Sequence, residues 1–265
     1  MVNYSLYCLK TWFNVRRKVW IRVFLYSIFL STYQAYSAPL EVYIADYPPF
    51  QVLDEESGHS GFSVELFKEI VKLTDLEVEY IAVPWVRALA KVAKRPNSLL
   101  FTMAKTPERD KLYQWVDTIY RVNEGVFALD DRKDISINKL DDVHQYTIAL
   151  PRGDVSIKTL NIYPDHIQGV SIVEHQAQCI KMLKLGRVDL NYNNDVGFFM
   201  AAKMMGLKPD QFKQVFVTGQ AELGIAANKT IDIEIVTKIR KALVTLKANG
   251  VYNKLQDTWF SSNYL

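Results

Sequence analysis

Between residues 40 and 103 the spacing of apolar residues switches repeatedly between about two and about 3.6. That switching constrains the fold more than any other feature of the chain. Residues 40–45 alternate Leu40, Val42 and Ile44 against Glu41, Tyr43 and Ala45, and the run stops at Pro48 and Pro49, which cannot donate to a strand ladder. After Gly61, the residues Phe62, Leu66, Phe67, Ile70 and Val71 recur at helical spacing, with Glu65, Lys68, Glu69 and Lys72 on the opposite face. A strand over about 76–83, a helix opened by Pro84 in its first turn, and an apolar strand over residues 98–103 continue the pattern. Strands alternating with helices imply a largely parallel sheet, and so the α/β class.

A charged stretch at 130–134 precedes a second unit of the same kind. It reads as a strand at 146–150, a Pro151-Arg152-Gly153 turn, and a helix from about 154. A helix over 175–185 then buries Cys179, Ile180 and Leu183, with Gly186 placed to stop it. Strands at 187–192 and near 213–217 follow, then a short apolar segment from Leu223 to Ala227. A long helix with Ile235, Ile239, Leu243 and Leu246 on one face ends before Gly250.

The first 37 residues differ in kind from the rest. They carry Lys10, Arg16, Arg17, Lys18 and Arg22, no acidic residue, and an apolar run from Val23 to Leu30. This is the profile of a secretory signal, and the run falls well short of the ~20 apolar residues that span a membrane. The small residues Ala35 and Ser37 put the cut after Ser37, so the exported form is expected to begin at Ala38. The chain has 32 Lys and Arg against 29 Asp and Glu, and losing five basic residues with the leader leaves a net charge of about −2. Such a chain has no electrostatic footprint for nucleic acid. With Cys8 in the leader, only Cys179 remains, so no intramolecular disulfide is expected. The four histidines, His59, His144, His166 and His175, fall in no metal or nucleophile motif, and neither a metal nor a cofactor is expected.

Five segments, in order, carry a family resemblance. They are ADYPPF at 45–50, GFSVELFKEIVKLT at 61–74, TPERDKLYQWVDTIY at 106–120, LKLGRVDL at 183–190 and LKANGVYNKLQDTWF at 246–260. From about residue 40 to 260 the chain resembles the bacterial extracellular solute-binding proteins, family 3, which serve polar-amino-acid ABC transporters. The resemblance implies a two-lobed periplasmic-binding-protein-like fold, each lobe a mostly parallel sheet flanked by helices, joined by two crossing strands. Lobe one would comprise 38–127 plus 221–265, and lobe two 128–220. The implied function is a monomeric, non-catalytic periplasmic receptor that closes on a small carboxylate-bearing, amino-acid-like ligand and delivers it to a membrane permease. Two alternatives stand beside it: a periplasmic dehydratase-like enzyme on the same fold, and a receptor feeding a sensor.

The resemblance also nominates site residues. Arg109 matches the arginine with which the family grips a ligand carboxylate, and a guanidinium fork suits two carboxylate oxygens; otherwise it is a surface arginine in a charged turn. Thr102 falls at a pocket-lining position or is an ordinary buried threonine. Tyr47 and Trp85 stand at the ends of strands that face a cleft, as aromatic walls or as core. Gly153 and Asp154 open a helix whose N–H groups would receive anionic oxygens, with Asp154 equally readable as an N-cap. The family usually places an acidic residue for the ligand's ammonium shortly after the segment at 186–189. Counted without a gap that position is Asn194, with Asp195 one residue on and readable as the cap of a following helix.

Overall fold

The computed structural model describes residues 38–54, 56–162 and 169–260. The expected leader and its cut after Ser37 lie outside the described residues.

Eight strands follow in chain order: β1 (Leu40–Ile44), β2 (Val78–Ala82), β3 (Ser98–Ala104), β4 (Tyr113–Leu129), β5 (Ile148–Pro151), β6 (Val170–Val173), β7 (Leu190–Asn194) and β8 (Phe212–Asn228). They hydrogen-bond in the order β2-β1-β3-β8-β4-β7-β5-β6. β1 pairs in parallel with β2 and β3, and β5 in parallel with β6 and β7. Between these two parallel sets run β4 and β8, 17 residues each and antiparallel from Tyr113↔Asn228 to Leu129↔Phe212. Each is long enough to serve both lobes, so these are the two crossing strands.

The alternation read in β1 sorts its side chains onto two faces. Leu40, Val42 and Ile44 pack under α1 (Phe62–Thr74) with Phe62, Leu66, Phe67 and Ile70. Tyr43 points to the other face, against Ala88 and Val92 of α2 (Trp85–Lys94). Each fully buried Leu, Ile or Phe of this kind contributes about 1.5–3 kcal/mol. In the second lobe Phe127 and Phe198 stack 4.2 Å apart, and Cys179, on α5 (Gln176–Lys184), is fully buried, its thiol pushed up to about 12 by desolvation. No helix among the described residues is long and apolar enough to cross a membrane.

Several local readings need correction. The segments at 213–217 and 223–227 are one strand, β8; its middle, Val217–Gln220, is largely exposed between the two cores, so the apolar alternation lapses there. The expected helix from 154 is a single turn, α4 (Ser156–Thr159), after which Leu160 and Ile162 turn into the core. Residues 107–112 form a helix, α3 (Pro107–Leu112), which Thr106 caps by accepting from Arg109 N at 3.3 Å and Pro107 opens at its first position. The strand expected at 187–192 spans Leu190–Asn194, and β6 carried too short a run to be read at all.

Candidate functional site

The C-terminal ends of all six parallel-set strands converge on one cavity of about 310 Å³, where open α/β sheets collect ligands. Its size lies at the lower end of the range of ~300–1,000 Å³ for small-molecule sites. The residues after β1 bring Tyr47, those after β2 bring Trp85, and the end of β3 brings Thr102; α3 adds Arg109. From the second lobe come Asp154 after β5 and Asn194 at the end of β7. Six of the seven nominated residues therefore line a single space. The seventh, Gly153, does not line it; its carbonyl instead accepts the Trp85 indole N–H at 3.4 Å, a contact between the lobes. A one-turn α4 also offers little helix dipole, so the expectation of an anion seat on the backbone at 153–154 is not carried by the geometry.

Arg109 is half-buried and held from two sides. Its Nη1 donates to the Ala104 carbonyl at 2.9 Å, and its guanidinium lies 5.7 Å from the centroid of Trp85, a cation–π distance. No ion pair to it occurs among the described residues, so the rest of the fork is open toward the cavity. Desolvation pulls its pKa down, and the nearby negative charge of Asp154 pushes it back up.

Thr102 is buried, with φ 64, a left-handed conformation that β-branched residues rarely adopt. It sits where the β3–β8 register slips between Leu100 and Met103, and its hydroxyl donates to Ser63 Oγ at 2.7 Å. The slip lies at the end of β3 that lines the cavity through Thr102 and Ala104.

Across the cleft, Asn194 Nδ2 donates to the Tyr47 hydroxyl. The Asn194 amide oxygen accepts from Gly197 N at 2.7 Å, so Asn194 is itself the N-cap of α6 (Asp195–Met204). This corrects the assignment of the cap to Asp195. The Asp195 carboxylate instead accepts from Asn123 N and Nδ2 on β4, at 3.3 and 2.9 Å, and does not line the cavity. Asp154 lines the cavity and accepts from Ser156 N at 2.8 Å, but the N-cap of α4 is Val155, so the reading of Asp154 as the cap is corrected.

Sequence reasoning missed Glu124 on β4. It lines the cavity and accepts from the Tyr192 hydroxyl at 3.0 Å. Burial raises its pKa; the bond from Tyr192 lowers it, Asp154 raises it and Arg109 lowers it. Asn193 was missed as well. It is 7% exposed, lines the cavity, and its Nδ2 has no hydrogen-bond partner. Glu174, also on the wall, is engaged by Arg152 at 2.9 Å. Three asparagines among the five residues of β7, Asn191, Asn193 and Asn194, gave the available signal, since Asn is depleted from strands unless something there uses it.

Among solved structures, an ancestral arginine-binding protein bound to arginine superposes with a TM-score of 0.74 at 23% identity, covering 85% of this chain and 99% of that one. By sequence, the L-cystine-binding protein TcyA of Bacillus subtilis (strain 168) is 27% identical over 219 residues, 82% of this chain and 79% of TcyA. The ABC transporter arginine-binding protein 1 of Escherichia coli (strain K12) is 25% identical over 222 residues, 82% of this chain and 88% of that protein. The family model for bacterial extracellular solute-binding proteins, family 3, matches residues 41–262, which takes in both lobes, both crossing strands and the whole cavity wall. The chain belongs to that family.

Proposed function

We propose that this chain is a periplasmic receptor that closes on a small carboxylate-bearing, amino-acid-like solute and presents it to the permease of an ABC transporter. The observation that carries the reading is the open guanidinium fork of Arg109, stacked on Trp85 inside a cavity at the convergence of the strand ends. The names of the relatives, which bind cystine and arginine, agree with it. The lobes are taken as residues 38–127 with 221–265, and 128–220. Closure brings them together through Tyr47 with Asn194, Trp85 with Gly153, and the exposed ion pair of Glu108 with Lys158. Purification of the exported protein and mass spectrometry of what it carries should yield an amino acid or a close carboxylate analogue. A co-purified solute without a carboxylate would overturn the reading.

The rival, a dehydratase-like enzyme, would use Glu124 as its acid, because burial keeps this carboxyl protonatable. It requires turnover of a prephenate-like acid by the purified protein; the receptor reading expects none.

Closure also makes Gly153 sensitive to substitution. A Cβ there would lie 2.9 Å from Val86 Cγ2, on the opposite lobe, at a φ of 72. Gly153→Ala should therefore weaken binding of the co-purified solute by about 1–2 kcal/mol, the usual cost of overpacking a contact. Calorimetric titration of both forms checks this, and equal affinity would mean that the Trp85–Gly153 contact plays no part in the bound state.

A further inference from the structure

The cavity holds more negative than positive charge. Among the described residues Arg109 and His175 are its only basic side chains, and of these Arg109 alone is permanently charged. Facing them are Asp46, Glu124, Asp154 and Glu174, of which only Glu174 is ion-paired among the described residues. A solute that brought a carboxylate and nothing else would add to this excess. A cationic group on the solute would offset it.

Glu124 is the best placed of them. Its strand and β7 are antiparallel neighbours, and in their register Glu124 stands directly opposite Asn194. Asn194 is poorly free to serve a ligand cation: its amide oxygen caps α6 through Gly197 N, and its amide nitrogen donates to Tyr47. Glu124 has one oxygen occupied, Oε2, by the Tyr192 hydroxyl, while Oε1 accepts nothing from the described residues. Glu124 and Arg109 also sense each other's charge across the cavity. The two groups therefore suit the two ends of a zwitterion. The strand that carries Glu124 is fixed there from behind, because Asp195 holds the backbone and side chain of the preceding residue, Asn123.

We propose that the Glu124 carboxylate, presented by the crossing strand β4, is the counter-charge for the ligand's ammonium group, and that Asn194 opposite it is an uncharged brace. This rests on the reading of the chain as a receptor for amino-acid-like carboxylates, and adds that the ligand keeps its amino group. It also explains why an amide at 194 and a carboxylate at 124 belong together. An acid at both positions would put like charges directly opposite on paired strands, which is destabilising.

The test is calorimetric titration of the exported protein with the common L-amino acids, L-ornithine and L-cystine, and then of the tightest binder's deamino analogue. Glu124→Gln, which keeps an acceptor for Tyr192, should weaken the amino acid by about 30-fold or more and the deamino analogue by less than about threefold, since only the former loses a buried charge partner. Equal loss for the amino acid and its deamino analogue would give Glu124 a purely structural role and overturn the proposal. So would unchanged affinity in Glu124→Gln, and if Arg109→Ala still abolished binding the receptor reading would survive that failure. Absence of binding by any amino acid to the unaltered protein would overturn both.

Discussion

Replacing Arg109 by Ala should weaken binding of the cognate carboxylate by about 2–4 kcal/mol, a loss of roughly 30- to 1,000-fold, because the ligand's charge would then enter a desolvated site without its partner. The magnitude follows from how the side chain is held. Stacking on Trp85 at 5.7 Å and the bond from Nη1 to the Ala104 carbonyl at 2.9 Å fix the guanidinium before any ligand arrives. Little ordering cost is left for the binding step. Arg109→Lys retains the charge but neither the fork nor the stacking plane, and should be weaker than the parent by about tenfold. The unfolding of the ligand-free protein should shift by no more than about 1 kcal/mol, since among the described residues Arg109 makes no ion pair and only one side-chain hydrogen bond, to the Ala104 carbonyl. Parent-like affinity in Arg109→Ala would remove the carboxylate from the proposed ligand.

Asp154 and Glu124 make the same substitution informative in a second way. Both carboxylates influence the ionisation of Arg109, and Arg109 in turn favours the ionised form of Glu124. Without the arginine the cavity keeps only negative charge and His175. Loss of affinity should accordingly be larger for an acidic solute than for a cationic one, which distinguishes removal of a specific fork from general damage to the pocket.

The periodic parts of this fold were legible in the sequence because they face one core. β1, α1 and the long helix α7 (Ile233–Ala248) bury most of the residues that the spacing picked out, with Val71 and Ile235 only partly buried at the margin of the core. β8 was read as two pieces, since a strand that leaves one core and enters another loses its apolar signal at the crossing, and no local rule joins the halves. Arg109 could be nominated only through the family match; PERDK alone reads as a charged turn. Glu124 escaped notice for a related reason. Its neighbours Arg121 and Asn123 are exposed polar residues and Val122 belongs to the core, and nothing local tells which polar side chain faces a cleft. That depends on pairing with β7, about 70 residues later in the chain, where Glu124 meets Asn194. Asn194 and Asp195 were confused because both residue types cap helices well, and only the bond to Gly197 N separates them.

Gly61→Ala should cost about 3–4 kcal/mol of stability, well above the typical point mutation, because it combines backbone strain with a collision that cannot relax. Gly61 has φ 109 and ψ 156, a region essentially reserved for glycine. A Cβ there would stand 2.5 Å from the Phe50 carbonyl oxygen and 2.9 Å from Gln51 N, both backbone atoms. The closeness has a purpose. No side chain caps α1; its first N–H groups, from Phe62 and Ser63, donate to the carbonyls of Pro49 and Phe50 at 3.0 and 2.9 Å. The loop and the helix start thus complete each other, and the same loop holds Tyr47 at the cavity through bonds from Phe50 N and Gln51 N to the Tyr47 carbonyl. Pushing the loop away would uncap the helix and displace Tyr47 from Asn194, so solute affinity should fall together with stability. Gly58→Ala supplies the contrast. Its φ is 86 but a Cβ there would meet nothing within 4 Å, so it should lose only about 1 kcal/mol, with affinity intact. Urea unfolding and calorimetric titration of the two variants separate strain from collision, and equal losses at 58 and 61 would show that the approach of Gly61 to Phe50 carries no weight in placing Tyr47.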